Sequence, residues 1–171
     1  MEELGRTDAE AHRESAHFPV TIILDSVRSM HNVGSVFRTA DATNVSQIIL
    51  CGLTPRPPHR DIQKTALGAT ESVHWTYHTS ITEAVMQLKE EGYQIVAVEQ
   101  VHNSISLADA PFRKDQKLAF IFGNEVHGVS NEVLDVCDYC LEIPQFGTKH
   151  SFNISVSAGI VLWEWIRKAN G

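Results

Sequence analysis

Unbroken apolar runs recur along the chain, and the stretches between them change to helical spacing. Residues 20–24 (VTIIL) form a continuous apolar, β-branched run, the pattern of a strand covered on both faces. The same signature marks 47–50, 94–98 and 118–122 as buried strands, with shorter strands predicted at 73–77 and 139–143. Val33, Val36, Phe37 and Ala40 fall at i, i+3, i+4 and i+7, one core stripe on a helix that starts near Asn32, a good N-cap. Arg38 lies off that stripe and is free to face a cleft or a partner. Residues 81–91 predict an amphipathic helix ended by Gly92, 131–136 a short helix, and about 151–168 a final long one. Only 54–61 (TPRPPHRD) is strongly loop-like, because Pro55, Pro57 and Pro58 exclude regular structure. Strands alternating with helices predict an α/β fold whose mainly parallel sheet is flanked by helices.

The final helix is the most informative element. Ile154, Ala158, Val161, Leu162 and Trp165 make one apolar face, and Val156, Ile160, Trp163 and Ile166 make another. A helix apolar nearly all round is buried on both sides. With the sheet on one face and a second copy on the other, a homodimer is expected; a central helix within one chain is the alternative. Residues 1–18 read as a polar tail or short helix with Pro19 as its boundary, and 19–171 as one domain. A domain of this size buries roughly 70% of its unfolded surface and folds without disulfides or metal.

Composition changes this picture little. Hydrophobic residues make up 43% and charged residues 20% of the chain, ordinary for a globular protein. No apolar run approaches the roughly 20 residues of a membrane span, and the start, MEELGRTDAEAHRESAHF, has no apolar signal core. A cytoplasmic protein with no membrane partner is therefore expected. Cys51 stands alone and Cys137 and Cys140 form a single CxxC without a second pair. No metal is expected; structural thiols are favoured over weak metal binding or redox chemistry.

Charge matters more through its distribution than its total. A net charge of −7 opposes a nucleic-acid partner. Yet from Ser26 to Lys64 five basic residues (Arg28, Arg38, Arg56, Arg60, Lys64) face only two acidic ones, whereas from Thr82 to Glu142 there are eleven acidic and four basic residues. The basic set could grip RNA phosphates or simply decorate a solvated loop.

Two polar junctions follow buried strands near the C-terminal half. GNEVHG (123–128) directly follows LAFIF, where open α/β sheets place ligands. A phosphate-binding loop is excluded because Val129 stands where its lysine belongs, and no GxGxxG is present. At the second junction, IPQFG (143–147) and KHSFN (149–153) lead into the final helix. Ser151 and Asn153 read either as helix caps or as part of a ligand site at the helix start. His59, His127 and His150 lie in or near these segments, in solvent-facing or supporting positions rather than catalytic ones.

Taken together, three segments resemble the three motifs of the SpoU (TrmH-like) RNA methyltransferases of the SPOUT superfamily. LDSVRSMHNVGSVFRTADA, with Asn32, Gly34 and Arg38, resembles the first; IFGNEVHGVS, with Gly123, Glu125 and Gly128, the second; IPQFGTKHSFNISVSAG, with Ile143, Pro144, Gly147, Ser151, Asn153 and Ser155, the third. Phe152 departs from the usual leucine. The resemblance implies a deep C-terminal trefoil knot, an exception to the rule that chains do not thread loops. It implies S-adenosylmethionine as cofactor, contacted by Phe122, Gly123, Asn124, Glu125, Gly128, Ile143, Pro144, Ser151, Phe152 and Asn153. It also implies a homodimer in which both subunits build each active site, and methylation of a ribose 2′-hydroxyl in tRNA or rRNA. Arg38 would be catalytic, as proton acceptor or phosphate clamp, supported by Asn32, Glu125, Ser151 and Asn153. KTALGA (64–69) resembles a further family segment with a role at the substrate. The competing readings are a knotted RNA-binding protein without activity and a methyltransferase acting on a base or small molecule.

Overall fold

The computed structural model describes residues 8–149 and 151–169. Residues 1–7, most of the tail's first half, and His150 lie outside it. A short helix α1 (Ala9–Arg13) precedes β1 (Phe18–Asp25), then come α2 (Met30–Ala42), β2 (Val45–Cys51), α3 (Arg60–Ala66), α4 (Ala69–Ser72), β3 (Trp75–His78) and α5 (Ile81–Glu90). The second half runs β4 (Gln94–Val98), β5 (Ile105–Ser106), β6 (Leu118–Phe122), α6 (Asn131–Leu134), β7 (Tyr139–Glu142) and α7 (Ile154–Ala169).

The seven strands form one sheet in the order β3-β2-β1-β6-β4-β7-β5. Every strand pairing among the described residues is parallel. The uniformly apolar runs follow from this: a parallel sheet has helices on both faces, and the two-residue side-chain period sends alternate residues to opposite layers. Ile22 and Leu24 join the layer containing α2, α3 and α7, together with Val36, Phe37 and Trp165. Ile23 joins the other layer, with Ala84, Val85 and Leu88 of α5 and Val133 of α6. The expected α/β architecture is thus present.

Several boundaries differ from the sequence reading, each for a local reason. Pro19 lies inside β1 rather than before it. Helix α2 starts at Met30, capped by Ser29, whose hydroxyl accepts from the Asn32 N–H. Asn32 is therefore in the first turn, with its side chain released for other work. The loop-like stretch 54–61 ends at His59, whose Nδ1 accepts from the Asp61 N–H and caps α3, so Arg60 and Lys64 sit on a helix. The strand predicted at 73–77 is shifted to Trp75–His78, and α4 and β5, too short to show a period, are additions. Helix α7 begins at Ile154, leaving Ser151, Phe152 and Asn153 on the preceding loop. Gly92 ends α5 as predicted, at φ 85°.

The two faces of α7 separate only in part, since Ile160 and Ile166 of the second face are half-buried against the same core. Ile154, Ala158, Val161, Leu162 and Trp165 are buried, whereas Val156 is 48% and Trp163 65% exposed. No helix among the described residues is long and apolar enough to cross a membrane. Burial pushes the Cys51 thiol up to about 12 and Cys137 up to about 11, and raises Cys140 as well. No group of three or more His, Cys, Asp or Glu among the described residues could hold a metal ion.

Gly34 sits where α2 meets α3. A β-carbon there would lie 2.1 Å from Thr65 Oγ1 and 2.2 Å from the Ile62 carbonyl oxygen. Gly34→Ala should therefore push the helices apart and cost about 1–3 kcal/mol by overpacking. Differential scanning calorimetry should show a melting temperature lower by roughly 3–10 °C; an unchanged melt would mean that the contact relaxes freely.

Candidate functional site

The carboxyl ends of β4, β6 and β7 open into one cavity of about 430 Å³. This is the edge of a parallel sheet where ligands collect, next to the point at which the chain, having wound outward through β1, β2 and β3, reverses. Segments after three different strands line it, together with the loop before α7. Of the ten residues expected at the cofactor, Phe122, Gly123, Asn124, Glu125, Gly128, Ile143, Ser151, Phe152 and Asn153 line this cavity, and Pro144 does not. Val98 at the end of β4 lines it too, as do Glu99 and Gln100, which follow β4, and Ser157 of α7, and none carried a site signal in the sequence. Their position could have been anticipated only from the strand order, which places β4 beside β6.

The turn at 123–128 is held closed by its own backbone, with Asn124 and Gly128 exchanging N–H···O bonds of 3.0 and 2.9 Å. Gly123 is required there, since a β-carbon would fall 2.2 Å from the Gly128 carbonyl carbon. Gly128 has φ 66°, in the left-handed region. Asn124 stiffens the turn from within: its Oδ1 accepts from the N–H groups of Val126 and His127. Its Nδ2 donates to the Ser26 carbonyl at 2.8 Å, tying the turn to the end of β1.

Glu125 makes the longer reach. Its carboxylate accepts from the backbone N–H groups of Arg28 and Ser29, both at 3.0 Å, and from Asn32 Nδ2 at 3.2 Å. A carboxylate at the start of α2 also meets the favourable end of the helix dipole. Asn32 then hands on the connection, for its Oδ1 accepts from Asn153 Nδ2 at 3.0 Å. Asn153 in turn caps α7, with Oδ1 accepting from the Ser155 N–H at 2.9 Å and from its hydroxyl at 2.7 Å. One hydrogen-bonded chain, Glu125–Asn32–Asn153, therefore joins the three sequence segments.

The basic residues divide. Arg38 is exposed on α2, makes no hydrogen bond or ion pair among the described residues, and does not line the cavity of its own chain. Lys64 is paired with Asp61 at 2.7 Å, and the Arg56 guanidinium stacks over the Tyr77 ring at 4.2 Å. Arg28 and Arg60 are exposed, and the structure brings neither to the cavity. In the 64–69 segment, Thr65 spends its hydroxyl on the His31 carbonyl, a packing role between α2 and α3. His127 is exposed, whereas His59 is the cap of α3.

A model of the SpoU rRNA methylase family matches residues 19–163. The chain belongs to that family. It is 31% identical over 159 residues to a Staphylococcus epidermidis protein named for the TrmH family of tRNA/rRNA methyltransferases, covering 93% of this chain and 63% of that one. It thus spans less than two thirds of the length of such relatives. An AdoMet-bound rRNA methyltransferase from Sinorhizobium meliloti superposes with a TM-score of 0.81 at 26% identity, covering 95% of this chain and 61% of that one. A structure concerned with 2-OH methylation of C/U34 on tRNA superposes with a TM-score of 0.75 at 25% identity, covering 87% of this SpoU-family chain and 95% of that one.

Burial pushes the Glu125 carboxyl up, but the N–H groups it accepts, with the Asn32 amide, outweigh this and hold it below the ordinary 4.5. A carboxyl depressed on folding contributes stability that is complete above the ordinary value and is lost as pH falls through the folded one. The melting temperature should thus fall more steeply below pH about 4.5 in the wild type than in Glu125→Gln, the gap between the two curves narrowing as pH falls. Parallel acid limbs in thermal melts would show that Glu125 contributes nothing to the pH dependence.

Proposed function

We propose that the chain transfers a methyl group from S-adenosylmethionine to a ribose 2′-hydroxyl of tRNA or rRNA. The observation that carries this reading is the Glu125–Asn32–Asn153 chain, which ties the first family segment to the second and third, whose residues line one cavity. The cavity fits the cofactor. Its 430 Å³ is within the range of small-molecule sites, it has apolar walls from Phe122, Leu141, Ile143 and Phe152, and the turn at 123–128 presents backbone to it. The AdoMet-bound relative supports the cofactor, and the relative concerned with 2-OH methylation supports the acceptor. Residues 19–169 act as one methyltransferase unit, with the family's trefoil knot within the C-terminal part.

Held by the turn at 123–128 and the loop before α7, S-adenosylmethionine would supply an already activated methyl group, with S-adenosylhomocysteine as the leaving product. The chain must then hold the ribose oxygen in line and let its proton leave. A guanidinium stays charged in proteins, so Arg38 serves as a bidentate clamp on the nucleotide's phosphate, and the proton passes to that phosphate or to water. Glu125, Asn32, Ser151 and Asn153 order the two lips of the cavity. Arg28, Arg56 and Arg60 extend the phosphate contacts.

Since Arg38 does not line the cavity of its own chain, a second copy completes the site. The exposed Val156 and Trp163 face of α7 offers the surface for it. Trp163→Asp should convert a dimer to a monomer in light scattering at micromolar concentration; a monomeric wild type would refute the dimer.

Incubation with bulk RNA and methyl-labelled cofactor, followed by digestion to nucleosides, should place the label on 2′-O-methylated ribose. Label on a base would indicate a different acceptor, and no label an inactive RNA-binding protein. Arg38→Ala should lower kcat/KM by at least a hundredfold, about 2.7 kcal/mol, with cofactor affinity unchanged. Turnover within about tenfold of wild type would remove Arg38 from the mechanism.

A further inference from the structure

The cavity has an electrostatic character that the family segments alone do not predict. Its lining contains three carboxylates, Glu99, Glu125 and Glu142, and no lysine, arginine or histidine among the described residues. Each is held by hydrogen bonds rather than by a cation. Glu125 is spent on the start of α2. Glu142 Oε2 accepts from the Ser104 hydroxyl at 2.8 Å. Glu99, half-buried just beyond the end of β4, accepts from the Val129 N–H through Oε2 at 3.0 Å and from the Gln100 N–H through Oε1 at 3.1 Å. It also packs under the turn at 123–128, where a β-carbon on Gly128 would lie 2.2 Å from its Oε2. Glu99 is thus fixed in position, negatively charged, and without an ion-pair partner among the described residues.

We infer that Glu99 is a specificity-determining residue of the cofactor site, selecting the cationic sulfonium ligand over its uncharged thioether product. The inference rests on the methyl-transfer reading. S-adenosylmethionine carries one more positive charge than S-adenosylhomocysteine and is otherwise nearly the same shape. Shape alone discriminates the two poorly, because they differ by a single methyl group. An unpaired carboxylate in a partly enclosed cavity acts over several ångströms in a medium less polarisable than water, so it favours the charged ligand. Its two backbone hydrogen bonds hold the charge in place without neutralising it. The same field lets the spent product leave more readily than fresh cofactor, which matters for turnover because both occupy one cavity.

The test is the ratio of two affinities rather than an activity. Calorimetric titration of the full chain with each ligand should show Glu99→Gln weakening S-adenosylmethionine about fivefold or more, with S-adenosylhomocysteine changed by less than about twofold. A purely structural role for Glu99, loosening the turn at 123–128, would weaken both ligands equally and overturn the inference; so would unchanged affinities. Glu142→Gln, which removes a second carboxylate without touching that turn, should shift the ratio in the same direction. If Glu99→Gln proves poorly folded by thermal melt, an unchanged ratio in Glu142→Gln overturns the inference. A wild type that takes up neither ligand overturns the methyl-transfer reading, and this inference with it; wild-type binding with an unchanged ratio in the variants overturns this inference alone.

Discussion

The side-chain amide of Asn32 is the constraint on which the site depends. It donates to Glu125, 93 positions away, and accepts from Asn153, 121 positions away. An amide suits this place because it is both donor and acceptor in one rigid plane. An aspartate would set one carboxylate against another, and a leucine would leave both partners without their bonds. Each of the two bonds adds only about 1 kcal/mol net, so they do not hold the fold together. The two apolar layers do that, with Ile22, Leu24, Phe37 and Trp165 on one side and Ile23, Ile95 and Ile121 on the other, all fully buried. The amide instead selects the arrangement of loops which the rigid layers leave open. Three strand ends deliver three polar segments to one edge, and Asn32 fixes their mutual register.

The layers were readable in the sequence because burial on two faces leaves a one-dimensional trace. A run such as VTIIL has only one comfortable place in an α/β fold, and the alternation of such runs with helical stripes dictates a parallel sheet. What misled the reading was a competition between local and distant partners. Asn32 is a good helix cap by type, yet Ser29 takes that position, and the Asn32 amide meets Glu125, from the far half of the chain, which also accepts from the N–H groups of Arg28 and Ser29. In the Pro-rich stretch, Ile62 and Ala66 are buried at helical spacing on α3, but three prolines nearby obscured so short a pattern. Asn153 shows the opposite outcome. Its cap reading and its site reading are both correct, since one side chain caps α7 through Oδ1 and meets Asn32 through Nδ2.

Glu99 marks the limit of legibility. Nothing in the local sequence around it differs from an ordinary strand exit. It gains meaning only because β4 is inserted between β6 and β7, which brings its carboxylate under a turn from another strand. Strand order in a parallel sheet is set by the packing of crossover helices, not by the strands' own residues, and a single sequence does not reveal it. The three family segments could be named from their residue types; the fourth wall of the cavity required the fold.

The two ligands of the proposed reaction have opposite charge, and the molecule is divided accordingly. Its acidic half supplies the cavity, with three carboxylates and no cation in the described lining. Its basic segment supplies α2 and the stretch leading to α3. Within that segment Lys64 is neutralised by Asp61 and Arg56 lies over Tyr77, which leaves Arg28, Arg38 and Arg60 exposed without an ion pair among the described residues, Arg38 on the face of α2 away from the core. Under the proposed reaction an RNA backbone would be drawn to that face, and a sulfonium ligand into the cavity. The division reconciles a net charge of −7 with the RNA acceptor proposed for the chain. It also sets a geometric demand: the methyl group must be exchanged where the two fields meet. A single chain holds Arg38 outside its own cavity, and a second copy docked on the exposed face of α7 is the simplest way to bring a guanidinium to that boundary.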